Sequence, residues 1–156
     1  MRRFLFLSLG VLVVAFSLNG IGADHHCPWD WFSFDRFCYK VIKQRKNWQD
    51  AERFCGQLQN GSHLASIQSW AESKYVAMLL SNNAFLDTVW IGLFEPEKNR
   101  SLEWSDGSGF CYTGWERRKR NNVDNKKYCV ELSWMSDYLE WNNVKCESRN
   151  IFICKI

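Results

Sequence analysis

Proline occurs only twice in this chain of 156 residues, histidine three times, and no two cysteines stand as Cys-x-x-Cys. Internal repeats, low-complexity tracts and Pro/Gly/Ser-rich linkers are also missing, so the chain reads as one compact unit. Few prolines beside nine tryptophans exclude a disordered chain. The missing Cys-x-x-Cys argues against cysteine-held metal. Past residue 18 no long apolar run occurs, and a membrane span is not expected. Catalysis finds no support either. His25 and His26 adjoin near the start, His63 opens a strand-like run, and no nucleophile, base and orienting group suggest themselves.

What is present begins with a leader. Arg2 and Arg3 precede an apolar stretch from Phe4 to Leu18, and Gly22-Ala23 supplies small residues for cleavage. A signal peptide over 1–23 leaves a secreted domain over 24–156, of 156 − 23 = 133 residues. Removing Arg2 and Arg3 takes the formal charge from +3 to +1 (3 − 2), so any electrostatic recognition must be local. Seven cysteines remain: Cys27, Cys38, Cys55, Cys111, Cys129, Cys146 and Cys154. Disulfides are their expected fate outside the cell, and the odd count leaves one thiol for a second chain. Spacing does not settle the pairing: seven choices of the odd cysteine and fifteen pairings of the rest give 7 × 15 = 105 patterns.

Two helices stand out. Asn47 caps one carrying Trp48, Ala51, Phe54, Cys55 and Leu58 at helical spacing, stopped by Asn60-Gly61. Ser69 with Glu72 forms a capping box before Tyr75, Val76, Leu79 and Leu80, with an end at Ser81-Asn82. Strand-like runs follow at His63 to Ile67, Val89 to Leu93, Tyr128 to Leu132, Leu139 to Trp141 and Ile151 to Ile156. Asp106-Gly107 signals a turn, and Glu95 to Lys127 is a long polar loop of the kind that carries function. The class is α+β, two helices with an antiparallel sheet.

Cys27-Pro-x-x-Trp31, Cys38-Tyr39, Trp48-x-x-Ala51-x-x-Phe54-Cys55, His63-Leu64, Trp90-Ile91-Gly92-Leu93, Trp104-Ser105-Asp106-Gly107, Cys129-Val130, Trp141-Asn142 and Cys146-Glu147 together resemble the C-type lectin domain over the whole mature chain. The fine pattern is similar to snake-venom C-type lectins and lectin-like proteins. That resemblance implies bridges Cys27–Cys38, Cys55–Cys154 and Cys129–Cys146, and leaves Cys111 as the interchain tie.

In sugar-binding members of that family, a Glu-Pro-Asn or Gln-Pro-Asp triplet begins ten residues before the matching cysteine. A carboxylate two before it and a Trp-Asn-Asp complete a calcium cage. Here the triplet position reads Lys119-Arg120-Asn121, Lys127 stands two before Cys129, and Asn142-Asn143 follows Trp141. Calcium needs several anionic oxygens, and an ammonium about 4 Å from a divalent ion costs several kcal/mol at intermediate dielectric. The site therefore reads as degenerate, with Asp124 the one nearby carboxylate that a loop gap would bring in. A second calcium position of some venom relatives maps to Ser66, Gln68, Glu72 and Glu147, weakened where Gln68 replaces a carboxylate.

Arg117, Arg118, Lys119 and Arg120, with Lys126 and Lys127, form a basic loop. It reads equally as a solvated face or as a surface for sulfated or acidic segments, and it also suits dibasic processing after Arg120. Asp24-His25-His26 offers the amine and imidazole nitrogens that Cu(II) or Ni(II) prefers, though chance is the better account. Asn60 and Asn99 lie in glycosylation sequons. The resemblance implies a secreted, non-enzymatic, dimeric venom lectin-like subunit. It would disturb haemostasis through platelet receptors or coagulation factors, with no metal or cofactor and no nucleic-acid partner. The alternative is a calcium-dependent mannose or galactose lectin that agglutinates cells.

Overall fold

The computed structural model describes residues 26–84, 86–97, 101–115 and 128–156. The leader at 1–23 lies outside that range, as do Asp24-His25. In chain order the elements are β1 (Phe32–Phe34), β2 (Phe37–Lys46), α1 (Trp48–Leu58), β3 (His63–Leu64), α2 (Trp70–Asn83), β4 (Val89–Phe94), β5 (Glu103–Trp104), β6 (Tyr128–Leu132), a 3-10 turn (Trp134–Ser136), β7 (Trp141–Lys145) and β8 (Asn150–Lys155).

Both helix starts follow from local chemistry. Asn47 accepts the Asp50 amide and Ser69 accepts the Glu72 amide, each satisfying an end donor that the helix leaves free. Beyond the helices, the strands run in the order β1-β2-β8-β4-β6-β7, with β3 added on β8 and β5 on β4. The antiparallel expectation needs one correction. β4 and β8 pair in parallel, Val89 with Ile151 and Trp90 with Phe152, so the sheet is mixed. Residues 95–149 supply the long connection that a parallel pair requires.

Those two central strands are buried on both faces, which is why they read as nearly continuous apolar runs. Val89, Ile91, Ile151 and Ile153 meet Val76, Leu79 and Leu80 of α2 in one core. Trp90, Phe152 and Cys154 meet Trp48, Ala51 and Cys55 of α1 in the other. Gly92 lies where a Cβ would come 2.5 Å from the Leu64 carbonyl oxygen, so no larger residue fits the β3–β4 approach.

Cys27–Cys38, Cys55–Cys154 and Cys129–Cys146 are disulfide-bonded, the pairing that the resemblance implies. The second closes a sequence separation of 99 residues and ties α1 to β8. A chain-entropy model gives such a loop roughly 4–5 kcal/mol.

Candidate functional site

The polar centre of the molecule lies where β3, the start of α2 and the end of β8 converge. Lys155 closes β8, and its ammonium reaches the Glu72 carboxylate at 2.6 Å, with only 6% and 5% of the two side chains exposed. The same nitrogen donates to the Ser66 carbonyl at 3.0 Å and the Ser66 hydroxyl at 3.2 Å, above the Phe37 ring at 4.0 Å. Glu72 also accepts from the Tyr39 hydroxyl and from the Gln68 amide, the latter at 2.7 Å. Burial, then the neighbouring Glu72, pushes the Tyr39 phenol far above its ordinary range, so it stays a neutral donor.

This arrangement corrects two sequence expectations. Ser69 makes its half of the capping box, but the Glu72 carboxylate binds Gln68 and Lys155 instead of reaching back to the cap residue. Glu147, assigned with Ser66, Gln68 and Glu72, lies in the exposed turn before β8. The span from Asn150 to Lys155 is about 16 Å at strand rise, which puts Glu147 at the opposite end of β8. Lys155 is what completes the group. Hard oxygen donors of the kind calcium prefers are present, yet a resident ammonium engages them. The residues do not fit a divalent ion. Sequence reasoning passed over this lysine, although a cation in the run Ile151-Phe-Ile-Cys-Lys155 signals a buried partner.

Around this pair the loop residues Asp106, Ser108 and Cys111 bond to Ser66 and Gln68, just before α2. Asp106 accepts from the Ser66 hydroxyl, the Ser108 amide and the Ser108 hydroxyl. Burial alone would raise its carboxyl. The Ser108 and Ser66 hydrogen bonds and the Lys155 charge outweigh burial and hold it below the ordinary range. Gln68 forks between Ser108, at 2.7 Å, and the Cys111 amide, at 3.3 Å, so its side chain braces the loop. Cys111 is exposed and unpaired.

Aromatic rings hold the rest of this segment. Trp104, Tyr112 and Trp115 each meet Trp141 edge-on, with centroids 5.5–5.9 Å apart. Trp141 donates its amide to the Gly114 carbonyl, and a Cβ on Gly114 would meet the indole nitrogen at 2.5 Å. On the outside, Trp70 and Phe110 remain 55% and 44% exposed, with Tyr112 beside Trp70 and Cys111 between Phe110 and Tyr112 in sequence. Exposed aromatics gathered in this way mark contact surfaces.

The residues read as a degenerate sugar site are only partly in view. Lys119, Asn121, Asp124 and Lys127 lie outside the described residues, as do Arg117, Arg118, Arg120, Lys126 and Asn99. Asn142 and Asn143 are on β7, opposite Glu131 and Val130 of β6. Val130 faces the α2 core, so strand alternation turns Asn143 to that side and Asn142 to the other. Burial raises the Glu131 carboxyl, partly offset by the Asn150 amide that donates to it.

His63 hydrogen-bonds Glu52 at 2.6 Å, while Glu52 also accepts the Leu64 amide, so the imidazole secures β3 on α1. Among the described residues no three His, Cys, Asp or Glu side chains gather as a metal group. No described helix is long and apolar enough to cross a membrane.

A mixed sheet with helices on both faces, three staples and a buried polar centre at the start of α2 define a lectin-like domain. The Lectin C-type domain family profile matches residues 44–156, and the chain belongs to that family. It is 46% identical to C-type lectin lectoxin-Phi1 of Philodryas olfersii over 99% of each chain. To Snaclec alboaggregin-B subunit alpha of Trimeresurus albolabris it is 45% identical, over 99% of this chain and 97% of the relative. A C-type lectin mannose-binding isoform of Oxyuranus scutellatus matches at 46%, over 99% and 98%. Among solved structures, human lithostathine superposes with a TM-score of 0.78 at 33% identity, covering 84% of this chain and 90% of that one. EMS16, described as an antagonist of the collagen receptor integrin alpha2beta1, gives 0.63 at 39%, covering 83% and 98%. Its relatives are lectins and snaclecs, and the chain is a non-enzymatic binding protein.

Proposed function

We propose that this chain is a secreted, venom-type lectin-like subunit that binds host protein, a platelet receptor or coagulation factor, without calcium. The observation that carries this reading is the exposed thiol of Cys111 beside the aromatic surface of Trp70, Phe110 and Tyr112. That the other six cysteines are all oxidised supports a bond from this thiol to a second lectin-like chain, identical or not. The relative named as a subunit and the structure described as an integrin antagonist support the assembly and the type of target. The Lys155 ammonium among the oxygens of the second calcium position supports independence from calcium. The basic loop at 117–120 adds affinity for sulfated or acidic segments.

The test begins with a non-reducing gel of the secreted protein. The expected mass is that of two chains, and Cys111→Ser collapses it to one; a wild-type band at one chain removes the covalent partner. Binding to platelets in chelator then checks the target class, and dependence on calcium there defeats the reading. The second reading is a calcium-dependent lectin, favoured by the similarity to a mannose-binding isoform. A glycan array in millimolar calcium and again in chelator separates the two, since only a sugar lectin gives signal that the chelator abolishes.

A further inference from the structure

The turn between α1 and β3 carries chemistry that neither the lectin fold nor the binding surface uses. α1 ends at Leu58, and the Ser62 amide donates to the Gln59 carbonyl at 3.0 Å, closing a four-residue turn with Asn60 and Gly61 at its tip. Gly61 has a φ of +77°, and a Cβ there would meet nothing within 4 Å. Asn60 and Gly61 are both exposed. Among the described residues, neither the Asn60 amide nor the Gly61 N–H has a hydrogen-bond partner. Ser62, by contrast, is 1% exposed, and its hydroxyl is enclosed without a partner.

From this arrangement we infer that Asn60 is a site of spontaneous deamidation in every chain that leaves synthesis without a glycan there. Solvent base removes the Gly61 amide proton, and the nitrogen attacks the Asn60 Cγ. Ammonia leaves with that proton, and a five-membered succinimide forms. Water then opens either carbonyl and leaves aspartate or isoaspartate; the balance is one water consumed and one ammonia released. Asparagine amides are thermolabile for this reason, and glycine offers the least obstruction to the attack. Rotation about Asn60 breaks only the Ser62–Gln59 hydrogen bond, since no side chain grips either tip residue.

The same side-chain nitrogen is the glycan acceptor, so the two fates exclude each other. Burial of Ser62 restricts the choice in time. A transferase that must engage the Ser62 hydroxyl reaches it only before the turn closes, which makes glycosylation an event of synthesis and deamidation an event of the folded protein. The product places a carboxylate just beyond the C-terminus of α1, where the helix dipole disfavours negative charge. Isoaspartate also lengthens the backbone by one methylene ahead of His63 and Leu64, the residues that pair β3 with β8. Cys55–Cys154 anchors α1 to β8 close by, so loosening stays local to the turn and β3.

Ser62→Ala provides the test, because it removes the sequon while leaving Asn60-Gly61 intact. The folded, oxidised variant held at mildly alkaline pH gains one mass unit, and peptide mapping finds isoaspartate at position 60. Asn60→Gln in the same background shows no gain in that peptide, and Gly61→Ala slows it. Wild-type chains carrying a glycan at Asn60 show none. An unchanged mass in Ser62→Ala, or a gain mapping to other asparagines only, overturns the inference. Competition with a glycan rests on secretion, as proposed above; the chemistry at Asn60 does not, so a secreted but non-deamidating protein defeats only this inference.

Discussion

Two regions of this molecule keep oxygen donors at positions that the family resemblance assigns to calcium, and they differ in what tertiary structure does with them. At the start of α2, Ser66 and Glu72 converge, and the terminal lysine of β8 fills the space between them. On β7, Asn142 and Asn143 are sequence neighbours but face opposite sides of the sheet. The first region brings its oxygens together around a resident charge. Of the second, only two neutral amides lie among the described residues. Donor identity alone therefore does not decide the first region; the resident charge does.

Breaking the first region costs the most. Glu72→Gln leaves the Lys155 ammonium buried without its carboxylate and is expected to lower stability by about 3–5 kcal/mol, the range for splitting a buried ion pair. Denaturant unfolding reads this directly, and a loss below 1 kcal/mol would mean that water reaches the lysine.

Calcium sharpens the contrast. Lys155→Glu removes the ammonium and adds a carboxylate beside Ser66 and Glu72, so the variant is expected to melt lower than wild type in chelator and to recover in millimolar calcium. Saturation a hundredfold above Kd corresponds to about 2.7 kcal/mol. Asn143→Asp on β7 is expected to show no calcium-dependent melting shift, because one added carboxylate does not supply the several anionic oxygens that calcium needs. Equal responses from the two variants would erase the distinction between the regions.

The smallest effect concerns pH. Asp106 has a folded pKa below its unfolded value, so its contribution is fully present above the ordinary carboxylate range and is lost as pH falls through the lower folded value. Glu131 has a raised folded pKa, so its sign is opposite: its favourable contribution belongs to acid and fades as pH rises through the folded value. Asp106→Asn is expected to flatten the acid side of the stability profile by about 1 kcal/mol or less, and Glu131→Gln to steepen it, because the opposing loss with rising pH is removed. A profile unchanged in Asp106→Asn would mean that Ser66 and Ser108 do not hold its carboxylate.

Legibility followed the range of the interactions. Asn47 and Ser69 were readable as caps because a cap bonds three residues on. β6 was readable from its apolar residues over Tyr128–Leu132. β2 was missed, since Lys40, Lys43, Gln44, Arg45 and Lys46 hide a ten-residue strand that its partners β1 and β8 impose. β7 was placed at Leu139 to Trp141 but starts where that run ends, because pairing with β6 selects the polar Asn142-Asn143 stretch. Glu147 was assigned to a group that Lys155, and not Glu147, joins in the structure.

By itself the sequence determined the helices, the apolar centre of the sheet, the family and, through it, the three bridges. These rest on local hydrogen bonds, side-chain periodicity and a dense set of ordered motifs. Only tertiary structure decided that β4 and β8 run parallel, that Trp141 gathers the segment from Trp104 to Trp115, and that Lys155 stands among the oxygens of Ser66 and Glu72. Each of those depends on residues dozens of positions apart meeting in space, and on a buried charge having one place where its cost is offset.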